Sequence, residues 1–261
     1  MAKINEILNS FEPITLEEME RVKLMDRTDT KYAFAIRDLP PLLEEMRVSY
    51  ACLRVQQTKT SNYRTLYYDT SDLALYTKHH KGELNRYKIR HRTYMDSDMG
   101  YLEVKFKNNK GRTIKERIKE NTPENTFNKR AYTFLQSELP FDPSLLMPVV
   151  WVNYHRITLV NKVDSERLTI DINLKFKKGS TELDLTNLVI AEVKQEKRKT
   201  SPFIKAMKTR CIAEVSISKY CFAIAAMYSD VKKNNFKEKI SSLNKLIKHD
   251  SIANSHRSYN G

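Results

Sequence analysis

The chain has 261 residues, 40% of them hydrophobic and 30% charged, with a formal net charge of +14. That is enough apolar material for a large folded domain and too much for a disordered chain, and the positive excess calls for a polyanion: nucleic acid, an acidic membrane surface or phosphate chains. No apolar run approaches the roughly 20 residues of a membrane span, the start MAKINEILNSFEP lacks a signal peptide's apolar segment, and three scattered cysteines suit a reducing cytosol. In chain order, Ile4, Ile7, Leu8 and Phe11 keep helical spacing, and Thr15 with Glu18 makes a capping box before a second short helix. A strand is expected from about 24 to 35, then a helix over 38–46 with prolines in its first turn. Residues 60–68 alternate as a strand and 69–80 read as a helix capped near its start. Three strands follow between 85 and 118, split by turns at Asp96–Gly100 and Asn108–Gly111. Helix is expected from Pro123 to Glu138, strands at 151–160, 166–176 and 188–196, and helix from Phe203 onward. Residues 1–230 are expected to form one domain. The basic tail 231–261 carries an apolar stripe (Phe236, Ile240, Leu243, Ile247) suited to packing on that domain, with contact to a partner or membrane surface as the lesser option.

The five glycines form neither GxGxxG nor GxxxxGK[ST], so any bound phosphate must be held by side chains and not by a backbone nest. The six histidines show no metal-ligand spacing, and no Ser–His or Cys–His pair suggests a covalent nucleophile. The strands themselves are more telling. Arg86, Lys88, Arg90 and Arg92 share one parity, as do Glu103, Lys105 and Lys107 against Leu102, Val104 and Phe106. Asp29 with Lys31, Lys115 with Arg117, Tyr154 with Arg156, and Glu192 with Lys194 repeat the pattern, and so do Arg167, Thr169, Asp171 and Asn173. Side chains alternate faces along a strand, and like charges opposed across a sheet are destabilising. The simplest arrangement is inverted: apolar residues face outward under helices, and the cations face a lumen that takes an anion. Solvated faces of ordinary strands would give one such pattern, not a series in phase. Nucleic-acid binding is less well served, since Tyr63, Tyr67, Tyr68 and Tyr76 read as core or wall residues and not as exposed stacking platforms.

Taken in order, RTDTKY (27–32), LYYDTSDLALY (66–76), KIRHR (88–92), LEVK (102–105), NYHR (153–156), RLTIDINL (167–174), AEVK (191–194) and SISKY (216–220) resemble the triphosphate tunnel metalloenzymes. Within that superfamily they are most similar to the polyphosphate-polymerase branch, the VTC domain, over about residues 10–228. The resemblance implies an α+β fold with a closed, eight-stranded antiparallel β-tunnel covered by helices. It implies that Lys31, Arg90, Arg92, Lys105 and Arg156 clamp the reacting phosphates. Lys115, Tyr154, Arg167, Lys194, Ser218 and Lys219 would bind further phosphate, and Glu192 would hold a divalent metal, Mn²⁺ or Mg²⁺. Glu103 and Asp171 are weaker metal candidates, expected instead in salt bridges. The triphosphatase branch usually carries ExExK in its first strand, where this chain has Arg27, Asp29 and Lys31. The expected reaction is therefore transfer of the ATP γ-phosphate to inorganic polyphosphate, with a triphosphatase or a non-catalytic polyphosphate-binding module as alternatives. The expected setting is the cytosol, with peripheral attachment to a membrane's inner face left open and export of polymer assigned to a separate membrane protein.

Overall fold

The computed structural model describes residues 1–21, 28–123 and 125–246. Arg27, Ile247 and the first part of the strand expected from 24 lie outside them. The N-terminal part runs α1 (Ala2–Asn9), β1 (Pro13–Ile14), α2 (Leu16–Arg21), β2 (Thr28–Ala35), α3 (Leu39–Met46) and β3 (Tyr50–Leu53). The middle runs β4 (Thr60–Asp69), α4 (Ala74–Lys81), β5 (Arg86–Tyr94), β6 (Met99–Lys107), β7 (Thr113–Lys119) and α5 (Lys129–Glu138). The last part runs β8 (Met147–Asn161), β9 (Glu166–Lys178), β10 (Thr181–Leu185), β11 (Leu188–Gln195), α6 (Pro202–Thr209) and α7 (Lys219–Met227), followed by helix over 237–246.

Local chemistry sets several of these boundaries. The Thr15 hydroxyl accepts from Glu18 N–H at 3.2 Å while the Glu18 carboxylate accepts from Thr15 N–H at 2.8 Å, a reciprocal capping box. α4 starts five residues later than expected, because buried Asp69 accepts from the amides of Thr70, Leu75 and Tyr76 and so holds the approach as a turn. α5 is likewise shorter than expected and begins after Asn128, whose side chain accepts from Ala131 N–H. Residues 203–246 are not one helical run: Tyr32 bridges Glu214, and Val215 N–H donates to the Lys31 carbonyl at 2.8 Å, so this stretch runs extended beside β2. The short strands β1, β3 and β10 carry no alternation that sequence could have shown.

The main sheet has the strand order β2-β11-β9-β8-β4-β5-β6-β7, every pair antiparallel. The expected closure into a tunnel or β-barrel does not occur: among the described residues no ladder joins β2 to β7, and the sheet is open. Two physical features account for this. The 214–215 stretch already occupies the free edge of β2. β7 is a short edge strand exposed at nearly every position, and closing it on β2 would press Lys115 and Arg117 toward Lys31.

The expected inversion of faces does occur. Leu168, Ile170, Val189, Ala191 and Val193 pack with α1, α3 and α6 in one cluster, and Ile89, Leu102 and Val104 pack with α5 in another. On the opposite face a third cluster seats α7 against Tyr67, Val150, Val152 and Ile190, and Leu243 of the final helix is buried in it. One expected member of the charged face is missing from it. A register shift between β8 and β9 and a positive φ of 52° at Asn173 turn that side chain to His155 Nδ1 at 3.1 Å, and Leu174 enters the third cluster instead.

Candidate functional site

Strand register brings the predicted cations to one face. Across β2 and β11, Lys31 lies opposite Glu192, and across β11 and β9, Lys194 lies opposite Arg167. Arg156 on β8 opposes Asp171 on β9, Arg90 on β5 opposes Glu103 on β6, and Lys105 on β6 opposes Lys115 on β7. Lys88 on β5 donates to Ser218 at 3.1 Å and the next residue, Lys219, pairs with Asp171 on β9, so the start of α7 links two strands of the charged face between which β4 and β8 intervene.

Three carboxylates organise this face, each bracketed by two cations. Glu103, fully buried, accepts from Arg90 at 2.6 Å and pairs with Lys115. Asp171 takes both forks of Arg156, at 2.7 and 2.8 Å, and Lys219 at 2.5 Å. Glu192 lies 3.3 Å from Lys31 and 3.1 Å from Lys194. Burial opposes each negative charge, and the cations win. Arg90, Arg92 and Lys115 hold Glu103 well below the usual carboxylate range. Arg156 and Lys219 bring Asp171 from 3.8 to about 2, and Lys194 and Lys31 hold Glu192 low. The lysines show the opposite stress: Arg90, then burial, then Arg92 and Lys194 push Lys105 far below its ordinary value. The face is over-supplied with positive charge.

Aromatic rings underlie the arginines. Tyr63 and Tyr154 stack with centroids 5.2 Å apart, Arg156 lies over both at 5.1 and 5.3 Å, and Arg92 lies over Tyr63 at 5.4 Å. Lys219 lies 5.0 Å from the Tyr154 ring. Ser218 caps α7 by accepting from Cys221 N–H and also accepts from Lys88 at 3.1 Å, which places the start of that helix beside the cations. Lys88, Tyr63 and Tyr67 belong to the same face but were not among the predicted site residues. Lys88 shares the parity of Arg90 and Arg92, a signal available in the sequence. The two tyrosines share their parity on β4 with Ser61, Thr65 and Asp69, none of them basic, and nothing in the sequence ties that strand to the arginines.

Among the described residues no group of three His, Cys, Asp or Glu side chains could enclose a metal ion. Glu103 and Asp171 are occupied by salt bridges, as their strand neighbours suggested. Glu192 is also paired, with Lys31 and Lys194, but at 19% exposed it is the most accessible of the three. That donor set does not form a protein cage. It fits a hard cation whose other ligands are phosphate oxygens and water.

An antiparallel sheet with acids bracketed by bases and cations in excess suits a fold that acts on polyanions such as triphosphate groups. The VTC domain family matches residues 26–228, and the chain belongs to that family, within the CYTH-like triphosphate tunnel superfamily. No curated protein matches. Among solved structures, a candidate adenylyl cyclase from Hippeastrum, described as having a dominant triphosphatase activity, is similar at 13% identity over 79% of this chain and 98% of its own, with a TM-score of 0.48. A candidate adenylate cyclase from Bacillus halodurans is similar at 14% identity over 78% and 100%, with a TM-score of 0.45. A conserved hypothetical protein from Pyrococcus furiosus is similar at 11% identity over 72% and 92%, with a TM-score of 0.38. Among the described residues no helix is long and apolar enough to cross a membrane.

Proposed function

We propose that this protein transfers the γ-phosphate of ATP to the end of an inorganic polyphosphate chain. The observation that carries the reading is the bracketing of Glu103, Asp171 and Glu192 by Lys and Arg, which commits each of these three carboxylates to two cations and leaves cationic donors in excess. The terminal phosphate of a chain is already an anionic nucleophile and needs no base. Its oxygen forms a bond to the γ-phosphorus as the bond from that phosphorus to the β-phosphate oxygen breaks, and ADP leaves with the electron pair. Such a transfer asks for positioning and charge neutralisation. Arg90, Arg92 and Arg156 supply planar forks, and Lys31, Lys105 and Lys194 supply point charges that let two polyanions approach. Lys115, Arg167, Ser218, Lys219 and the Tyr154 hydroxyl hold the more distant phosphates. Glu192 would hold a divalent ion, which when bound would add to the neutralisation of the phosphate charge.

A second reading, hydrolysis of triphosphate, draws on the open flank between β2 and β7, through which water can reach the same clamp as acceptor. Purified protein incubated with ATP and Mn²⁺ or Mg²⁺ separates the two. Polymer resolved by gel and dye, with ADP release, is the expected result. Stoichiometric free phosphate without polymer establishes the hydrolase, and tight polyphosphate binding without turnover establishes a binding module. Glu192→Gln is expected to lower metal-dependent turnover more than metal-free triphosphate binding, and equal loss of both removes the metal from Glu192.

A further inference from the structure

Beyond the clamp, β5 and β6 continue as a ladder of paired side chains on the charged face. Arg92 opposes Tyr101, Arg90 opposes Glu103, Lys88 opposes Lys105, and Arg86 opposes Lys107. The rungs follow at about 7 Å, so the row from Arg92 to Arg86 covers about 20 Å, well beyond the reach of three linked phosphates. Its composition changes along the way. The Arg90 rung carries Glu103, whereas the last two rungs place four cations directly opposite one another with no carboxylate between them, an arrangement that is destabilising unless an anion joins it.

The guanidinium groups at the two ends of the row are also incompletely satisfied. Among the described residues, the buried Nε of Arg92 and the buried Nε of Arg86 each meet no acceptor, while Arg86 Nη1 donates to the Glu83 carbonyl at 3.1 Å. A buried guanidinium N–H without an acceptor costs free energy that a ligand oxygen can return. The nearby Glu83 carboxylate faces Lys81 at 3.6 Å. His79, on α4, lies beside this end with Nε2 3.2 Å from the Tyr87 carbonyl, and burial with Lys88, Arg86 and Lys107 pushes its pKa down to about 3.

We infer that Arg86 and Lys107 form a distal subsite for a linear condensed phosphate, one rung past Lys88 and Lys105, and that it makes the protein prefer long chains over triphosphate. The inference rests on the polyphosphate reading above and deepens it. A chain lying along β5 would be gripped at the Arg90 and Arg92 end by the reacting clamp and at the Arg86 end by a fork and a flexible ammonium. Each oxygen placed there converts an opposed pair of like charges into a shared ligand.

The test compares the dissociation constants of tripolyphosphate and long-chain polyphosphate for the wild-type chain and for the double variant Arg86→Gln, Lys107→Gln at one fixed salt concentration. Loss of charge-assisted contacts at the subsite is expected to weaken the long chain about tenfold while tripolyphosphate changes by less than about threefold. Arg86→Lys, which keeps the charge and loses the fork, is expected to fall between, and Lys107→Gln alone, at an exposed position, covers the case in which the double variant fails to fold. Equal losses for both ligands, or none, overturn the subsite. So does displacement of the long chain by single-stranded DNA of equal charge as readily as by polyphosphate, since the row would then be an unselective basic surface. If wild-type protein binds neither phosphate ligand, the polyphosphate reading itself fails, an outcome distinct from loss of the distal subsite.

Discussion

Asp171 is held by three donor atoms and is almost wholly buried, so its charge contributes both to the site and to the fold. Its pKa is lower in the folded chain than in the unfolded one, which makes its stabilisation complete above the ordinary value of 3.8 and lost as pH falls toward about 2. Urea denaturation across that window is expected to show a steep acid slope for the wild type and a shallower one for Asp171→Asn. At neutral pH the same substitution leaves Arg156 and Lys219 without their anion and is expected to cost about 3–5 kcal/mol. Tyr63 tests a different contribution. Its ring lies under Arg92 and Arg156 and stacks on Tyr154, so it positions guanidinium groups without having to touch phosphate. Tyr63→Leu is expected to raise the KM for ATP more than it lowers kcat, by the equivalent of about 0.5–2 kcal/mol of lost cation–π contact. Tyr63→Phe keeps the ring and is expected to restore the wild-type KM. If Phe behaves like Leu, the hydroxyl matters and the platform does not.

At the scale of elements, β7 and β8 mark the extremes of the sheet. β8 is paired on both sides, by β4 and β9, and most of its residues are buried, whereas among the described residues β7 pairs with β6 alone and is exposed at every position but Ile118. Edge strands with few buried contacts open locally at low cost. Amide hydrogen exchange is therefore expected to be fast over 113–119 and slow over 150–160, with triphosphate slowing the β7 amides through Lys115. Unchanged exchange of β7 on saturation with triphosphate would place the ligand away from that flank. α7 is anchored more firmly: Tyr220 donates to buried Asp69 and stacks on Tyr67 at 5.1 Å, which fixes the helix that carries Ser218 and Lys219 to the face they serve.

Part of the molecule's positive excess lies on a face where cations are opposed by too few acids. A polyanion that relieves this repulsion binds the folded chain and not the unfolded one, so triphosphate is expected to raise Tm with concentration. The shift is expected to shrink as salt rises, because fields that reach solvent are screened over about 8 Å at physiological ionic strength. Thermal melts with and without millimolar triphosphate, at low and high salt, check both statements. A Tm unmoved at low salt would mean that the charged face does not take phosphate.

Alternation within single strands was enough to assign the faces, since a period of two leaves Arg90 and Arg92 no choice but the side opposite Ile89. It also placed Glu192 and Lys194 together against Val193, and the capping box at Thr15 and Glu18 was likewise readable from adjacent residues. Which strands meet was not readable. The opposition of Arg86 to Lys107, the sharing of Asp171 by Arg156 and Lys219, and the seating of Tyr63 beneath two arginines all depend on register between segments distant in the chain. The left-handed turn at Asn173 broke a strand's parity because a register shift there re-aimed the side chain, an event decided by the neighbouring strand and not by β9 itself. Closure was the largest question left to tertiary structure. Local pattern specifies each strand's faces, but whether β2 pairs with β7 depends on what else claims those edges. Here the 214–215 stretch occupies one edge and a run of like charges guards the other, so the sheet stays open.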